Sequence, residues 1–481
     1  MKDINRRHFL NSAIGGVLGV YGANYIACQK NSKQPKSQNS KPNIVIMYAD
    51  NMGYGDWSRG GSPTIHTPNL NNMADEGVQM TQFYVSTPTC SPSRASLLTG
   101  RNPIRTGLIR VLFNNMTRGL PQSEITIAEA LKPLGYKTAC IGKWHLGCQK
   151  EHFPGKHGFD YFFGMLYSPD MIDPDIYRNE ECIEHPSNLS TIHERIIKES
   201  IQFIESSKNK PFFLYLPFII PHVPHHPGKK FKGKSRRGLY GDVIEEMDWG
   251  VGQINKTLDK LGLSKNTFVL FTSDNGPWSY LKHFQEGGSP GPMFGNLGDC
   301  WEGGVRVPCV ARWPGRLPAG KINMEVGSIV DLFPTIMELA GGKIPDDRPY
   351  DGINIMPVLE GKNTPERTLF FEKNGTLSAV RKGKWKLHLT YAAYNRKGYG
   401  KKFINAKWIT PEIPMLFNVE DDPLEQYDVS ADYPGITAEL TKLTDDYKTE
   451  IERNAENKDL LEWYYNDFEK ELDKFWNRFK K

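Results

Sequence analysis

A chain of 481 residues has room for two or three domains and a sizeable buried core. With 38% apolar residues, 24% charged residues and a formal net charge of only +5, its composition argues against a disordered chain and does not call for nucleic acid as a partner. Cys28 and Cys90 fall within motifs of their own, and the five other cysteines, an odd set, imply no disulfide framework.

The first 28 residues read as an address rather than as fold. Arg6-Arg7-His8-Phe9-Leu10 begins a twin-arginine-like export signal, and the small apolar stretch Ala13–Ala27 is short for a membrane span. Tyr25-Ile26-Ala27-Cys28 resembles a bacterial lipobox, in which cleavage precedes Cys28 and the thiol is lipidated. Residues 29–42, polar and rich in Ser, Lys, Gln and Asn, suit a flexible tether. The expected location is the periplasm or cell surface of a bacterium, with membrane contact through the N-terminal lipid alone.

Residues 43–365 alternate short apolar runs with amphipathic helices, the pattern of an α/β domain with a largely parallel sheet. Four continuous apolar runs read as strands covered on both faces: Asn43–Tyr48, Lys137–Ile141, Phe212–Leu216 and Thr267–Phe271. Each ends in a polar cluster: Asp50-Asn51, Lys143-Trp144-His145, His222 to His226, and Asp274-Asn275. Ligands of open α/β sheets gather at such carboxyl ends. Helices are expected near Thr126–Leu134, Thr191–Ser207 and Gly241–Leu261. Residues 366–450 change character, with hairpin strands at Thr368–Glu372, Ser378–Arg381 and Trp385–Leu389. In the tail, 451–481, Leu461, Tyr465, Phe468, Leu472, Phe475 and Phe479 form one apolar helical stripe, expected to pack on the body.

After the β-rich run Met80–Ser86 comes P-T-C-S-P-S-R-A-S-L-L-T-G-R, with Cys90 where strand gives way to helix and Pro92 in its first turn. A helix N-terminus favours an anion or developing negative charge, and Arg94 adds a planar cation suited to an oxyanion. This stretch resembles the signature of type I sulfatases, C-x-P-S-R-x-x-x-L-T-G-R, in which a maturation enzyme converts the cysteine to formylglycine. R-N-P-I-R-T-G, G-L-P-Q-S-E-I-T-I-A-E-A-L and G-G-S-P-G-P-M look closest to arylsulfatase A and N-acetylgalactosamine-6-sulfatase.

The resemblance implies an alkaline-phosphatase-like α/β core, with a mixed, largely parallel sheet flanked by helices, plus a smaller C-terminal α+β subdomain with an antiparallel sheet. It implies a sulfatase acting on a sulfated oligo- or polysaccharide of galactose or N-acetylgalactosamine type. Asp50, Asn51, Asp274, Asn275 and the oxygen of modified Cys90 would hold Ca²⁺, or less readily Mg²⁺. The geminal diol of residue 90 would attack sulfur, and the sulfated hemiacetal would collapse to aldehyde as His145 accepts a proton. His222 would protonate the departing oxygen, with Lys143 and Arg94 stabilising charge. Ser168 matches a sulfate-side hydroxyl, and His225, Trp278 and Trp301 are placed to touch substrate.

Two positions depart from the sulfatase pattern. Asn51 stands where a second aspartate is common, and Leu297 stands five residues before Glu302, where sulfatases carry a lysine. Losing one carboxylate and one lysine together leaves the formal charge of the site unchanged, so the two departures are expected to compensate. The alternatives are a phosphate or phosphonate ester hydrolase of the same fold, and a non-catalytic glycan-binding protein with Cys90 unmodified. Rates on matched sulfate and phosphate esters separate the first, and the mass of the Cys90 peptide separates the second.

Overall fold

The computed structural model describes residues 41–114, 116–171, 174–279, 287–362, 365–393, 407–454 and 457–477, and the expected export signal, Cys28 and residues 29–40 of the expected tether lie outside them, while Lys41 and Pro42 bond to Leu134 and Tyr136. Ten strands form the main sheet: β1 (Asn43–Ala49), β2 (Val78–Tyr84), β3 (Lys137–Lys143), β4 (Tyr161–Met165), β5 (Ile176–Arg178), β6 (Glu181–Glu184), β7 (Phe212–Pro217), β8 (Thr267–Ser273), β9 (Arg306–Arg312) and β10 (Lys321–Ser328). Their order is β10-β2-β9-β8-β1-β7-β3-β4-β5-β6. The central run β8-β1-β7-β3-β4 is parallel throughout. Antiparallel pairs lie outside it, through β9 on one side and β5 and β6 on the other.

Alternation along β1 shows why the run is uniformly apolar. Ile44, Ile46 and Tyr48 enter one buried cluster, while Val45, Met47 and Ala49 enter the other, so both faces of the strand are covered. Helices Pro68–Asp75 (α1), Leu189–Ser207 and Leu239–Lys260 cover the second face, and Cys90–Thr99 (α2), Ile127–Leu131 and Leu332–Leu339 cover the first. The helix at Ile127 starts on a capping box, with Thr126 accepting from the Glu129 N–H and Glu129 accepting from the Thr126 N–H.

A second sheet, all antiparallel, joins β11 (Thr368–Lys373), β12 (Thr376–Lys382), β13 (Trp385–His388) and β16 (Met415–Asn418), with the pair β14 (Tyr391–Ala393) and β15 (Lys407–Ile409) beside it in sequence. The helix Pro434–Arg453 lays Leu440 against Val380, Leu387 and Leu416 of this sheet. The tail is broken into helices Lys458–Asn466 and Phe468–Asn477. Leu460, Trp463, Tyr464 and Phe468 bury into the main core, whereas Tyr465, expected in the apolar stripe, is exposed. Phe479 lies outside the described residues.

The two sheets are joined through buried charge. Glu302 accepts from the Tyr84 hydroxyl at 2.7 Å and from Lys386 Nζ at 3.0 Å, and Lys386 also lies 3.2 Å from Glu425, which accepts from His388 at 2.7 Å. All of these groups are fully or almost fully buried. Removing one partner of such a network strands the others in low dielectric. Lys386→Ala is expected to cost roughly 3–5 kcal/mol of stability and to lower the thermal midpoint. An unchanged midpoint in calorimetry would show that the seam does not depend on this cation.

Candidate active site

The parallel strands β1, β7, β3 and β8 all finish at one rim of the sheet, and the structure gathers most of the expected site residues there. Asp50 follows β1 directly. Asn51 takes a left-handed conformation, φ 66°, which asparagine tolerates better than most side chains. Its N–H donates to Asp274 Oδ1 at 2.9 Å, tying the ends of β1 and β8 together. Gly53 allows the next segment to pass close to the 289 loop, since a Cβ there would sit 2.2 Å from the Ser289 carbonyl oxygen.

Cys90 opens α2, 5% exposed, and Arg94 lies one turn further along, fully buried. Arg94 donates to Asp274 Oδ2 at 2.7 Å and to the Lys143 carbonyl at 3.0 Å, and its guanidinium is 3.4 Å from Asp50 Oδ1. The same guanidinium lies 5.5 Å from the centre of the Tyr48 ring. With both terminal nitrogens engaged this way, Arg94 positions the two carboxylates rather than standing open to a ligand. Tyr48 was not among the expected site residues; its place at the end of β1, on the face toward α2, was the available signal.

Lys143 ends β3 and donates to Asp50 Oδ2 at 2.7 Å and to Ser168 Oγ at 3.2 Å. Lysine can only donate, so the Ser168 proton is free to go to His222 Nε2, 3.1 Å away. His222 Nδ1 in turn donates to the Val223 carbonyl at 2.6 Å. This relay fixes the direction of each bond and leaves one Lys143 N–H uncommitted among the described residues. Trp278 sets its ring edge-on to His222, with centroids 5.6 Å apart.

His145 also takes a left-handed conformation, φ 59°, and its Nε2 donates to the Leu112 carbonyl at 2.9 Å. Burial, reinforced by Lys143 and Arg94, pushes its pKa well below the usual histidine value. The ring is therefore neutral, and its buried Nδ1 lone pair has no hydrogen-bond partner. Two expected contacts are corrected. His225 donates Nε2 to its own loop, at the Pro221 carbonyl 3.0 Å away, and packs on Tyr240. Trp301, only 4% exposed, is ringed by Phe294, His388, Tyr391 and Phe417 at the join of the two sheets, where it packs core instead of facing a sugar.

The donor set suits a hard cation. Asp50 Oδ1 and Asn275 Oδ1 are buried without a hydrogen-bond donor, while Asn275 Nδ2 is held by Asn51 Oδ1 at 2.7 Å and the Gly276 carbonyl at 2.8 Å. Burial and the neighbouring Asp50 charge push the Asp274 carboxyl up. Burial opposes ionisation of Asp50 too, but Lys143 above all, then His222 and Arg94, holds its carboxyl well below the ordinary range. Among the described residues no three His, Cys, Asp or Glu side chains form a metal cluster. The oxygens here come from two carboxylates and two carboxamides, a set suited to Ca²⁺ or Mg²⁺ rather than to zinc.

A sheet of this order, with oxygen ligands and cations at its rim and an antiparallel appendage, defines an alkaline-phosphatase-like α/β hydrolase. Residues 42–342 match the sulfatase family model, and residues 364–467 match that for the C-terminal region of aryl-sulfatase. The N-acetylgalactosamine-6-sulfatase of Rattus norvegicus is 36% identical over 468 residues, covering 88% of this chain and 89% of the relative. The PsFucS1 sulfatase from Pseudoalteromonas sp. superposes with a TM-score of 0.79 at 29% identity, covering 87% of this chain and 92% of that one. A Bacteroides thetaiotaomicron sulfatase described under metabolism of multiple glycosaminoglycans gives 0.77 at 28% identity, covering 85% of this chain and all of that one. The chain belongs to the sulfatase family and is a sulfuric ester hydrolase.

As encoded, Cys90 is a poor nucleophile: burial pushes its thiol up to about 12. At pH 8 only about 1 in 10⁴ such thiols is ionised. Folded protein with Cys90 unconverted is therefore expected to resist iodoacetamide at that residue while exposed Cys182 is alkylated. Peptide masses after a timed reaction check this; labelling of Cys90 as fast as Cys182 would contradict the burial.

Proposed function

We propose that this enzyme removes sulfate esters from a glycan of galactose or N-acetylgalactosamine type, with Cys90 converted to formylglycine by a maturation enzyme. The observation that carries the reading is the placement of Cys90 at the N-terminus of α2, near Lys143 and near the Arg94-braced Asp50 and Asp274, with Asp50 Oδ1 left without a hydrogen-bond donor. The substrate class rests on the likeness to N-acetylgalactosamine-6-sulfatase over most of both chains. Sulfatases generally use formylglycine and a divalent cation, and the residues of this site fit both.

Asp50, Asn51, Asp274 and Asn275, with the oxygen of converted residue 90, would hold Ca²⁺, which when bound draws electron density from the sulfate and lowers the pKa of a nearby hydroxyl. The chain's own side chains do the rest. Lys143 presents its remaining N–H to a sulfate oxygen and keeps Ser168 turned toward His222. His222 contacts the sulfate and, once protonated, supplies the proton to the leaving oxygen. His145, neutral and with Nδ1 unpartnered, is the base that accepts a proton at residue 90. Trp278, half-buried beside His222, offers an aromatic edge to the sugar. The export motif at Arg6-Arg7 and the lipobox-like Cys28 support a lipid-anchored enzyme outside the cytoplasm.

Hydrazide capture and mass spectrometry of the residue 90 peptide test the central claim. Wild-type protein is expected to carry the aldehyde and to hydrolyse 6-O-sulfated N-acetylgalactosamine, whereas Cys90→Ala loses capture and at least about 10³-fold in kcat. Ca²⁺ should raise the thermal midpoint of wild type and not that of Asn275→Ala. An intact sulfur at residue 90 in active enzyme would sink the formylglycine reading.

A further inference from the structure

Leu297 leaves the site without the lysine that the sulfatase pattern places five residues before Glu302. The structure brings a different lysine beside Gly298, the residue after Leu297, from an element 76 positions further along the chain than Leu297. Lys373 is the last residue of β11, and its place is fixed by the turn that follows. Asn374 and Gly375 have φ 52° and 79°, the two left-handed residues of a tight two-residue hairpin, and they set Lys373 opposite Thr376. A register shift between Phe371 and Glu372 re-aims the strand just before its end.

Two backbone bonds tie this strand end and the segment after Leu297, one each, to the loop that leads into Cys90. The Glu372 N–H donates to the Ser86 carbonyl and the Gly298 N–H donates to the Pro88 carbonyl, both at 2.9 Å. Lys373 Nζ lies over Gly298, 3.6 Å from where a Cβ would stand on that glycine. The ammonium group thus arrives beside the residue next to Leu297, against the loop that ends in the nucleophile. Lys373 is half-buried, and among the described residues no hydrogen bond or ion pair holds its ammonium. The titratable groups that act on it are Cys300, Asp299, Cys90 and the like-charged Arg110. The Asp299 carboxylate is already bonded by the Asn296 N–H, Asn296 Nδ2 and the Trp301 N–H.

A half-buried ammonium with no partner of its own is stabilised by a ligand that brings negative charge. We propose that Lys373 is the second sulfate-binding cation of this enzyme, delivered by the C-terminal subdomain to the place that Leu297 leaves without charge. The inference rests on the sulfate-ester reaction at Cys90 and adds its missing anion contact. With Lys373 counted the missing lysine is replaced, so the carboxylate lost at Asn51 is left unbalanced and the formal charge of the site rises by one instead of staying unchanged.

Calorimetric titration with inorganic sulfate and turnover of 6-O-sulfated N-acetylgalactosamine, both on Ca²⁺-loaded protein, test this directly. Lys373→Met is expected to weaken sulfate binding and kcat/KM by roughly 10–100-fold, the loss of one charge-assisted hydrogen bond. Lys373→Arg, which keeps the charge, should restore most of the binding, an outcome that a packing role would not produce. Hydrazide capture at residue 90 and the thermal midpoint should match wild type in both variants; should Lys373→Met fail to fold, Lys373→Gln carries the same comparison. Wild-type sulfate affinity in the folded Met or Gln variant overturns the inference. Wild-type protein that binds sulfate but cleaves none of its esters overturns the hydrolytic reading instead, so the two failures are distinct.

Discussion

The active site depends on a buried arrangement of opposite charges at the rim of the main sheet. Asp50 and Asp274 stand at the ends of adjacent strands, β1 and β8, without room for water to screen them. Arg94 bridges both, Lys143 holds Asp50, and the Asn51 N–H holds Asp274. Taking so many ionised groups out of water is costly unless each is matched in place. That requirement explains why the contributing residues come from four separate segments and why each is locked by its strand or helix rather than carried on a free loop. The same enclosure leaves Asp50 Oδ1 and Asn275 Oδ1 buried without hydrogen-bond donors, the two oxygens at the rim that the proposed cation would take up.

Much of this geometry was legible in the sequence because parallel strands covered on both faces read as plain apolar runs. Asn43–Tyr48, Phe212–Leu216 and Thr267–Phe271 could each be located within a residue or two, and a polar cluster after a buried strand falls at the rim by construction. The outer strands were harder to see. β9 carries Pro308 in its middle, which normally argues against a strand, yet β2 and β9 shift register there, with Met80 opposite Cys309 and Phe83 opposite Val307. Such an irregularity tolerates a residue without an N–H, and nothing in the local sequence announces it.

Side-chain destinations set by distant elements were not legible. Trp301 sits in a loop next to the site, where an aromatic residue invites a sugar, but β13 and β16 close over it with His388 and Phe417. His225 looks equivalent to His222 on paper, and only the path of its loop turns it back onto the Pro221 carbonyl. Lys373 shows the same limit from the other side. Spacing along one segment can register that a lysine is missing, whereas the residue that reaches the same place belongs to another sheet.

The enclosure of residue 90 has a consequence for the order of events in the life of the enzyme. On the proposed conversion, a catalyst that exchanges the sulfur for oxygen would have to reach a side chain that the fold shuts beneath the first turn of α2. Conversion would then compete with folding for the same stretch of nascent chain. A host that folds the polypeptide faster than it matures it would accumulate well-formed, inert protein.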